Sequence, residues 1–147
     1  MAIDKQMQDL LRPPKNHIVY FVDGKDGRRA PNRELFEKVS FDVAKDLVGN
    51  IDNTQLRKFF APVDDLNSRA KRGAINGEQI QAELALLKAR VAYAYKRPGV
   101  KVPRKLVRMI TDHAASVEDQ RDLAVFRRFF ECVVAYHRAL SLSRSQR

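Results

Sequence analysis

One predicted helical face carries two cations around a tyrosine, at Leu86, Arg90, Tyr93 and Arg97. Side chains three or four residues apart share a helix face, so the ring of Tyr93 lies between two guanidinium groups. A guanidinium group binds phosphate through paired N–H donors, and an aromatic ring gives a base a surface for stacking. The spacing therefore predicts a nucleic-acid contact. It is equally compatible with a tyrosine that packs inside a helical bundle, with solvated arginines around it.

Further cations lie outside this stripe. One group follows helical spacing beyond a proline, at Lys101, Arg104, Lys105 and Arg108. Arg57 and Lys58 lie near the start of another predicted helix, where the dipole disfavours a cation unless an anion such as phosphate binds there. Arg127 and Arg128 are less informative, because Glu131 can pair with Arg127. No base-reading group accompanies these cations, which favours contact with the polymer backbone over sequence recognition.

The charge distribution supports a polyanionic partner. The 147 residues carry a net charge of +10, and residues 1–52 hold equal numbers of acidic and basic side chains. The excess therefore lies entirely in residues 53–147, which is typical of proteins that bind nucleic acid or an anionic membrane. The single cysteine excludes an internal disulfide, and no apolar run reaches the roughly 20 residues that span a bilayer. We expect a cytoplasmic protein without a membrane partner.

Residues suited to catalysis are sparse. His17, His113 and His137 are far apart in the sequence, and no His or Cys pair has metal-ligand spacing. His137 follows the apolar stripe of the last helix, where a core or interface histidine is the better interpretation. Asp64 and Asp65 point in different directions on a helix, and each has a cation within reach along the chain. The sequence predicts no enzyme, no catalytic residue, no metal and no cofactor.

The periodic segments predict an all-α, single-domain bundle of about five helices, residues 33–147, preceded by an irregular segment, residues 1–32. The irregular segment holds a short helix ending near Leu11 and an extended stretch, IVYFV, for which no partner strand is evident. The predicted helices cover 33–48, about 78–97, about 103–115 and 116–140, with one more helix after the first, capped by Asn53 or Thr54 and carrying an apolar stripe from Leu56 to Leu66.

N-cap residues, a glycine and a proline set the predicted helix bounds. Asn32, Asn76 and Ser116 are the predicted N-caps of the first, third and fifth helices, and Gly49 ends the first. Pro62 removes a hydrogen bond from the second helix, which predicts two shorter helices that meet near Ala61. Residues 141–147, SLSRSQR, are interpreted as a frayed basic tail.

Three segments in order carry a family resemblance: NTQLRKFF, LLKARVAYAYKR and FFECVVAYHRAL. Together they resemble the small subunit of type III-A CRISPR effector complexes, the Csm type. They span much of residues 53–140, whereas the chain before residue 30 adds nothing to the resemblance. Pro62 departs from the uninterrupted helix that the family pattern implies after LRKFF.

The resemblance implies a basic, all-α, non-catalytic subunit. Its implied partners are the guide RNA, the target RNA, the other subunits of the Csm complex and further copies of itself along the RNA. Matching motifs make these the candidate RNA-facing or partner-facing positions: Arg57, Lys58, Lys88, Arg90, Tyr93, His137 and Arg138. Arg97, Arg104, Lys105 and Arg108 join them from spacing alone. The alternative is a helical nucleoid-type or other DNA-binding protein, although the KRPGVKVPRK connection is longer than the turn of a helix-turn-helix.

Overall fold

The computed structural model describes residues 4–99 and 101–145. Within these ranges a helical bundle carries a small hairpin, which confirms the predicted fold class. The elements in chain order are α1 (Lys5–Leu10), β1 (Phe21–Asp23), β2 (Arg29–Pro31), a π-helical turn (Leu35–Val39) continuous with α2 (Ser40–Leu47), α3 (Asn53–Lys71), α4 (Gly77–Lys96), α5 (Arg104–Ser116) and α6 (Gln120–Ser145).

Local hydrogen bonds confirm most of the predicted helix ends. Asn76 accepts from the backbone N–H of Gln79 at 2.9 Å, while the Gln79 side chain accepts from the Asn76 N–H, a complete capping box. The side chain of Asn32 accepts from the Glu34 N–H, and Gly49, with φ of +82°, follows the end of α2. Glycine adopts this left-handed conformation without strain, so the chain turns sharply there.

The predicted break at Pro62 is wrong. α3 runs without interruption from Asn53 to Lys71, with Pro62 inside it. Proline removes one backbone donor, but the two turns around it keep burying apolar side chains against the bundle. Leu56, Val63 and Leu66 are all buried, and this packing holds the helix together across the lost hydrogen bond.

The predicted start of the last helix is also wrong. Ser116 belongs to the end of α5, where its hydroxyl donates to the Asp112 carbonyl and accepts from the Ile18 N–H. Asp119 caps α6 instead, since its carboxylate accepts from the Asp122 N–H at 3.0 Å. At the other end, α6 continues to Ser145, so the described part of the predicted tail is helical.

The extended N-terminal segment has a partner that the sequence did not reveal. β1 and β2 form an antiparallel pair, with Val22 opposite Ala30. The turn between them is closed by the Gly24 N–H, which donates to the Arg28 carbonyl at 2.7 Å. The second strand, Arg-Ala-Pro, lacks the β-branched and aromatic residues that mark strands, so its role depends on the pairing itself.

The helices form two layers around one core. In one layer, α6 packs between α2 and α3; in the other, α4 pairs with α5. The core between them contains the aromatic side chains of α6, Phe126, Phe129 and Phe130, each almost completely buried. No helix in the described ranges combines the length and the apolar character needed to cross a membrane.

A buried polar pair fixes the N-terminal segment to the bundle. The Tyr20 hydroxyl lies 2.7 Å from Nδ1 of His113, whose ring stacks on Phe126 and Phe129 with ring centres 4.5 and 4.8 Å away. Burial lowers the pKa of His113 to about 3 and raises the pKa of the Tyr20 phenol. Both groups are therefore neutral at physiological pH, which makes their hydrogen bond compatible with a dry core.

We predict that His113 destabilises the fold in acid. In the unfolded chain a histidine binds a proton below about pH 6.5, whereas folded His113 stays neutral until about pH 3. The unfolded state then binds more protons, so the free energy of unfolding falls by about 1 kcal/mol per pH unit across this window. Denaturant unfolding of wild type and His113→Gln from pH 7 to pH 4 measures the effect.

The His113→Gln variant should have a lower free energy of unfolding than wild type at pH 7, and that free energy should change less with pH. His17→Gln, at an exposed position, serves as the control and should keep the wild-type slope. Equal slopes in all three proteins contradict the prediction.

Candidate nucleic-acid interface

The stripe predicted on α4 lies on the surface. Arg90 and Arg97 are exposed, Leu86 is 46% exposed and Tyr93 is 67% exposed. The guanidinium carbon of Arg97 lies 6.0 Å from the centre of the Tyr93 ring, within range of a cation–π contact. Tyr93 is therefore not a bundle residue, and the ring is available to a ligand or a partner.

Lys88 does not join this stripe. Its side chain is half-buried on the other side of α4, about 160° around the helix axis from the stripe by helical geometry. A single ligand on the exposed face cannot contact Lys88 and Tyr93 together unless it wraps around the helix.

A groove of about 590 Å³ lies between α3 and α6. The two helices are joined at one end of it by Asn53, whose amide lies 3.3 Å from the Val134 carbonyl and 3.1 Å from Nδ1 of His137. Small or apolar side chains form much of its surface, and two of the predicted cations lie at its rim. Its lining residues are Thr54, Arg57, Lys58, Phe60, Ala61, Asp64, Glu131, Val134 and Ala135.

The two acidic groups of this groove are both paired with one arginine. Arg127 donates to Asp64 across the helix interface at 2.8 Å and to Glu131 on its own helix at 2.7 Å. The second of these pairs confirms the one expected from spacing, whereas Asp64 pairs with a cation on another helix. Asp65 pairs with Arg69 at 3.0 Å, as its spacing predicted.

The cations of the groove are not neutralised. Arg57 and Lys58 are exposed, and no carboxylate of the described residues lies within 4 Å of either side chain. Arg138 is also exposed and follows the groove residue Ala135 by three positions, on the same face of α6. These three cations give the α3–α6 groove a net positive charge.

Arg128 extends the same basic surface. Its guanidinium carbon lies 5.0 Å from the centre of the Phe36 ring, and both residues line a second depression with Glu131, Cys132 and Ala135. The sequence carried a weak signal that Arg128 belongs to this basic face, because Arg128, Ala135 and Arg138 recur at helical spacing on the solvent face of α6. Only the packing of the π-helical turn beside α6 shows that Arg128 borders a surface depression.

The cations predicted on α5 have separate environments. Arg104 is exposed, and Lys105 lies 3.6 Å from Asp46 in a pair that is about half exposed on each side. Arg108 donates to the carbonyls of Leu10 and Arg12 at 2.7 and 2.8 Å, and to Asp112 at 2.5 Å. The structure therefore corrects its assignment, because the donors of Arg108 hold the N-terminal segment on α5.

His137 is the second candidate that the structure removes from the surface. Its side chain is 1% exposed, with Nε2 2.8 Å from the Ile51 carbonyl and Nδ1 3.1 Å from the Asn53 amide. Both ring nitrogens therefore have partners inside the protein. The interpretation of His137 as a core histidine is confirmed, and it offers no contact to RNA or to a partner.

The comparison with known families agrees with this basic, helical arrangement. The profile of the Csm2 Type III-A family matches residues 30–143, which cover the five long helical segments almost to the end of the last. The chain belongs to this family. As a Csm2 Type III-A protein, it is a structural small subunit of the type III-A CRISPR Csm complex and has the other subunits of that complex as partners. Neither a curated protein nor a solved structure matches the chain.

The family match begins just after the segment that Arg108 holds. Residues 4–29 precede the match, yet they are tied to α5 by Arg108, His113 and Ser116.

The division into a segment at 1–32 and a domain at 33–147 stays a prediction. The described residues contain no group of three or more His, Cys, Asp or Glu side chains that could hold a metal ion.

We predict that Arg108→Ala releases the N-terminal segment. The change removes charge-assisted hydrogen bonds in a half-buried site and leaves two carbonyls and Asp112 without their donor, at a cost of about 2 to 3 kcal/mol. Hydrogen exchange should quicken in residues 4–20, and the free energy of unfolding should fall. Arg72→Ala, at an exposed position at the end of α3, is the control and should change neither quantity. Unaltered exchange in the Arg108 variant contradicts the assignment.

Proposed function

We propose that this Csm small subunit is a non-catalytic protein that binds the backbone of the guide and target RNA through the α3–α6 groove. One observation carries the proposal: both carboxylates in the groove are paired with Arg127, whereas Arg57 and Lys58 at its rim and Arg138 beside it have no acidic partner among the described residues. Uncompensated cations on a concave surface attract phosphate groups and release their counterions.

The groove supports binding without sequence preference. Its rim offers guanidinium and ammonium groups, which bind phosphate, and its floor offers Ala61, Val134 and Ala135, which cannot read base edges by hydrogen bonds. In an RNA-guided complex, base pairing supplies the sequence specificity, and the protein holds the duplex by its shape and phosphates. A subunit with this chemistry tolerates every guide sequence.

The proposal includes further copies of the chain along the RNA. A protein that contacts only the backbone meets the same chemical surface at every step of the polymer, so several copies can bind in series. The other candidate cations, Lys88, Arg90, Arg97, Arg104 and Lys105, together with Tyr93, stay predictions as RNA contacts. Their positions on α4 and α5 place them in the other layer of the bundle, away from the α3–α6 groove.

We predict that the isolated protein binds single-stranded RNA weakly and that the groove cations carry this binding. With three or four phosphate contacts, log affinity should fall with log salt at a slope of about −2 to −3. Arg57→Ala and Arg138→Ala should each make the slope shallower by about 0.7 and weaken binding to both RNA sequences equally. Fluorescence anisotropy at four salt concentrations, with two unrelated RNA sequences, measures both quantities.

Arg72→Ala is the matched control, since Arg72 is exposed at the opposite end of α3. It should keep the wild-type slope. A strong preference for one RNA sequence or for duplex DNA contradicts the proposal. Unchanged RNA binding by the Arg57→Ala/Arg138→Ala double variant contradicts it as well. A preference for duplex DNA favours the nucleoid-type alternative.

We also predict that the pure protein does not cleave RNA with or without Mg²⁺. A magnesium site needs carboxylates that are free to bind the ion, but Asp64 and Asp65 are each paired with an arginine. Labelled RNA incubated with the protein and Mg²⁺ should remain intact. Cleavage that disappears in Asp64→Ala or Asp65→Ala overturns this expectation, and cleavage that survives both substitutions points to a contaminating nuclease or another site.

A further inference from the structure

Residues 4–20, called the strap below, lie against α5 and are attached to it mainly by side-chain contacts. They precede the family match, which begins at residue 30. Leu10 is 1% exposed and Tyr20 is 4% exposed, so the strap is anchored in the core at two points. Residues 11–20 belong to no helix or strand. A segment held in this way can open locally while the helices beneath it stay folded.

The strap offers oxygen atoms to cations of the bundle. The carbonyls of Leu10 and Arg12 both accept from one guanidinium nitrogen, Nη1 of Arg108, at 2.7 and 2.8 Å. The carboxylate of Asp4 lies 3.3 Å from the ammonium nitrogen of Lys96. Phosphate oxygens bind guanidinium and ammonium groups in the same way. The strap therefore occupies donors that a phosphate group could otherwise use.

These donors belong to a group of four cations where α4 ends and α5 begins, called the junction cluster: Lys96, Arg104, Lys105 and Arg108. Arg104 and Arg108 are four positions apart and share a face of α5. Arg104 and Lys96 line one depression of about 250 Å³, and residues of α1 form its other wall. Arg104 is exposed, and no carboxylate of the described residues lies within 4 Å of it.

The bundle neutralises only part of this cluster. Asp112 pairs with Arg108, and Asp46 lies 3.6 Å from Lys105. The other carboxylate of α1, Asp9, pairs with Arg12 of the strap itself. When the strap opens, Asp4 leaves Lys96, and four cations remain with two carboxylates. The exposed cluster then has an excess of positive charge, which attracts a phosphate backbone.

We propose that the strap is an autoinhibitory element: when closed, it covers a second phosphate-binding surface, the junction cluster, and when open, it lets that cluster bind the RNA backbone. The two states exclude each other, because each hydrogen of Nη1 of Arg108 is already donated to a strap carbonyl. The class of ligand rests on the proposed function. The surface differs from the α3–α6 groove, and the regulation by the strap is additional to it.

The test loosens the strap without changing any charge. Leu10→Ala removes a buried anchor and leaves every cation of the junction cluster in place. The substitution is made in the Arg57→Ala/Arg138→Ala protein, in which the groove is disabled. There it should speed the amide exchange of residues 5–12 by at least about tenfold. It should also raise the affinity for single-stranded RNA about fivefold and make the salt slope steeper by about 1.4, the value for two further phosphate contacts.

Two control variants show whether the cluster is responsible. Leu142→Ala makes the same change at a 46% exposed position of α6 and should alter neither amide exchange nor RNA affinity. Adding Arg104→Ala and Lys105→Ala to the Leu10→Ala protein should abolish the gain in affinity and keep the faster exchange. A gain in affinity that survives the loss of these two cations overturns the proposal.

A second loosening variant covers the case in which Leu10→Ala unfolds the protein, which thermal melts reveal. Tyr20→Phe/Ser116→Ala removes the hydrogen bonds from the strap to His113 and from the Ile18 N–H to the Ser116 hydroxyl, again without a change of charge. It should speed exchange in the strap and raise RNA affinity in the same disabled background.

The outcomes of the two proposals are separate. Faster exchange with unchanged RNA affinity overturns the autoinhibitory role, and so does unaltered exchange in both loosened variants. The groove is tested by comparing wild type with Arg57→Ala/Arg138→Ala, whereas the strap is tested by comparing that double variant with and without loosening. A groove that fails its test therefore leaves the result for the strap interpretable.

Discussion

The burial of the aromatic face of α6 is the constraint on which the rest of the structure depends. Phe126, Phe129 and Phe130 are almost completely removed from water, and each contributes about 2 to 3 kcal/mol of hydrophobic stabilisation. To bury this face, α6 packs between α2 and α3, and the ring of His113 on α5 stacks on its aromatic side chains. The opposite face of α6 then remains in solvent, and its cations become available to a partner.

The same constraint explains why polar groups inside the molecule are used for structure. A buried polar atom is costly without a hydrogen bond, so His113 and His137 lie where Tyr20, Asn53 and backbone carbonyls satisfy them. Arg108 likewise donates to carbonyls of the N-terminal segment. The bonds of Arg108 and His113 attach residues 4–20 to the bundle. These internal partners occupy the donors of Arg108 and both ring nitrogens of His137, two side chains with the right chemistry for RNA.

Two surfaces remain, and their chemistry differs. The α3–α6 groove combines unneutralised cations with small apolar side chains, which suits a phosphate backbone of any sequence. The exposed face of α4 has an acidic and a basic end, Glu78 and Arg97, with apolar residues between them. Because α3 and α6 lie in one layer and α4 lies in the other, a single subunit presents both surfaces at once.

The sequence by itself determined the features that depend on neighbours along the chain. Helical spacing gave the exposed face of α4, and the Asn76 capping box gave its start, because these interactions join residues within four positions. The tertiary structure alone decided whether Pro62 breaks α3, which strand pairs with IVYFV, and whether a cation is free. Arg57 and Arg108 look alike in sequence, but the partners of Arg108 are 96 and 98 residues away in the chain. Charge and spacing indicate what a side chain can bind, whereas long-range packing decides whether its donors are already occupied.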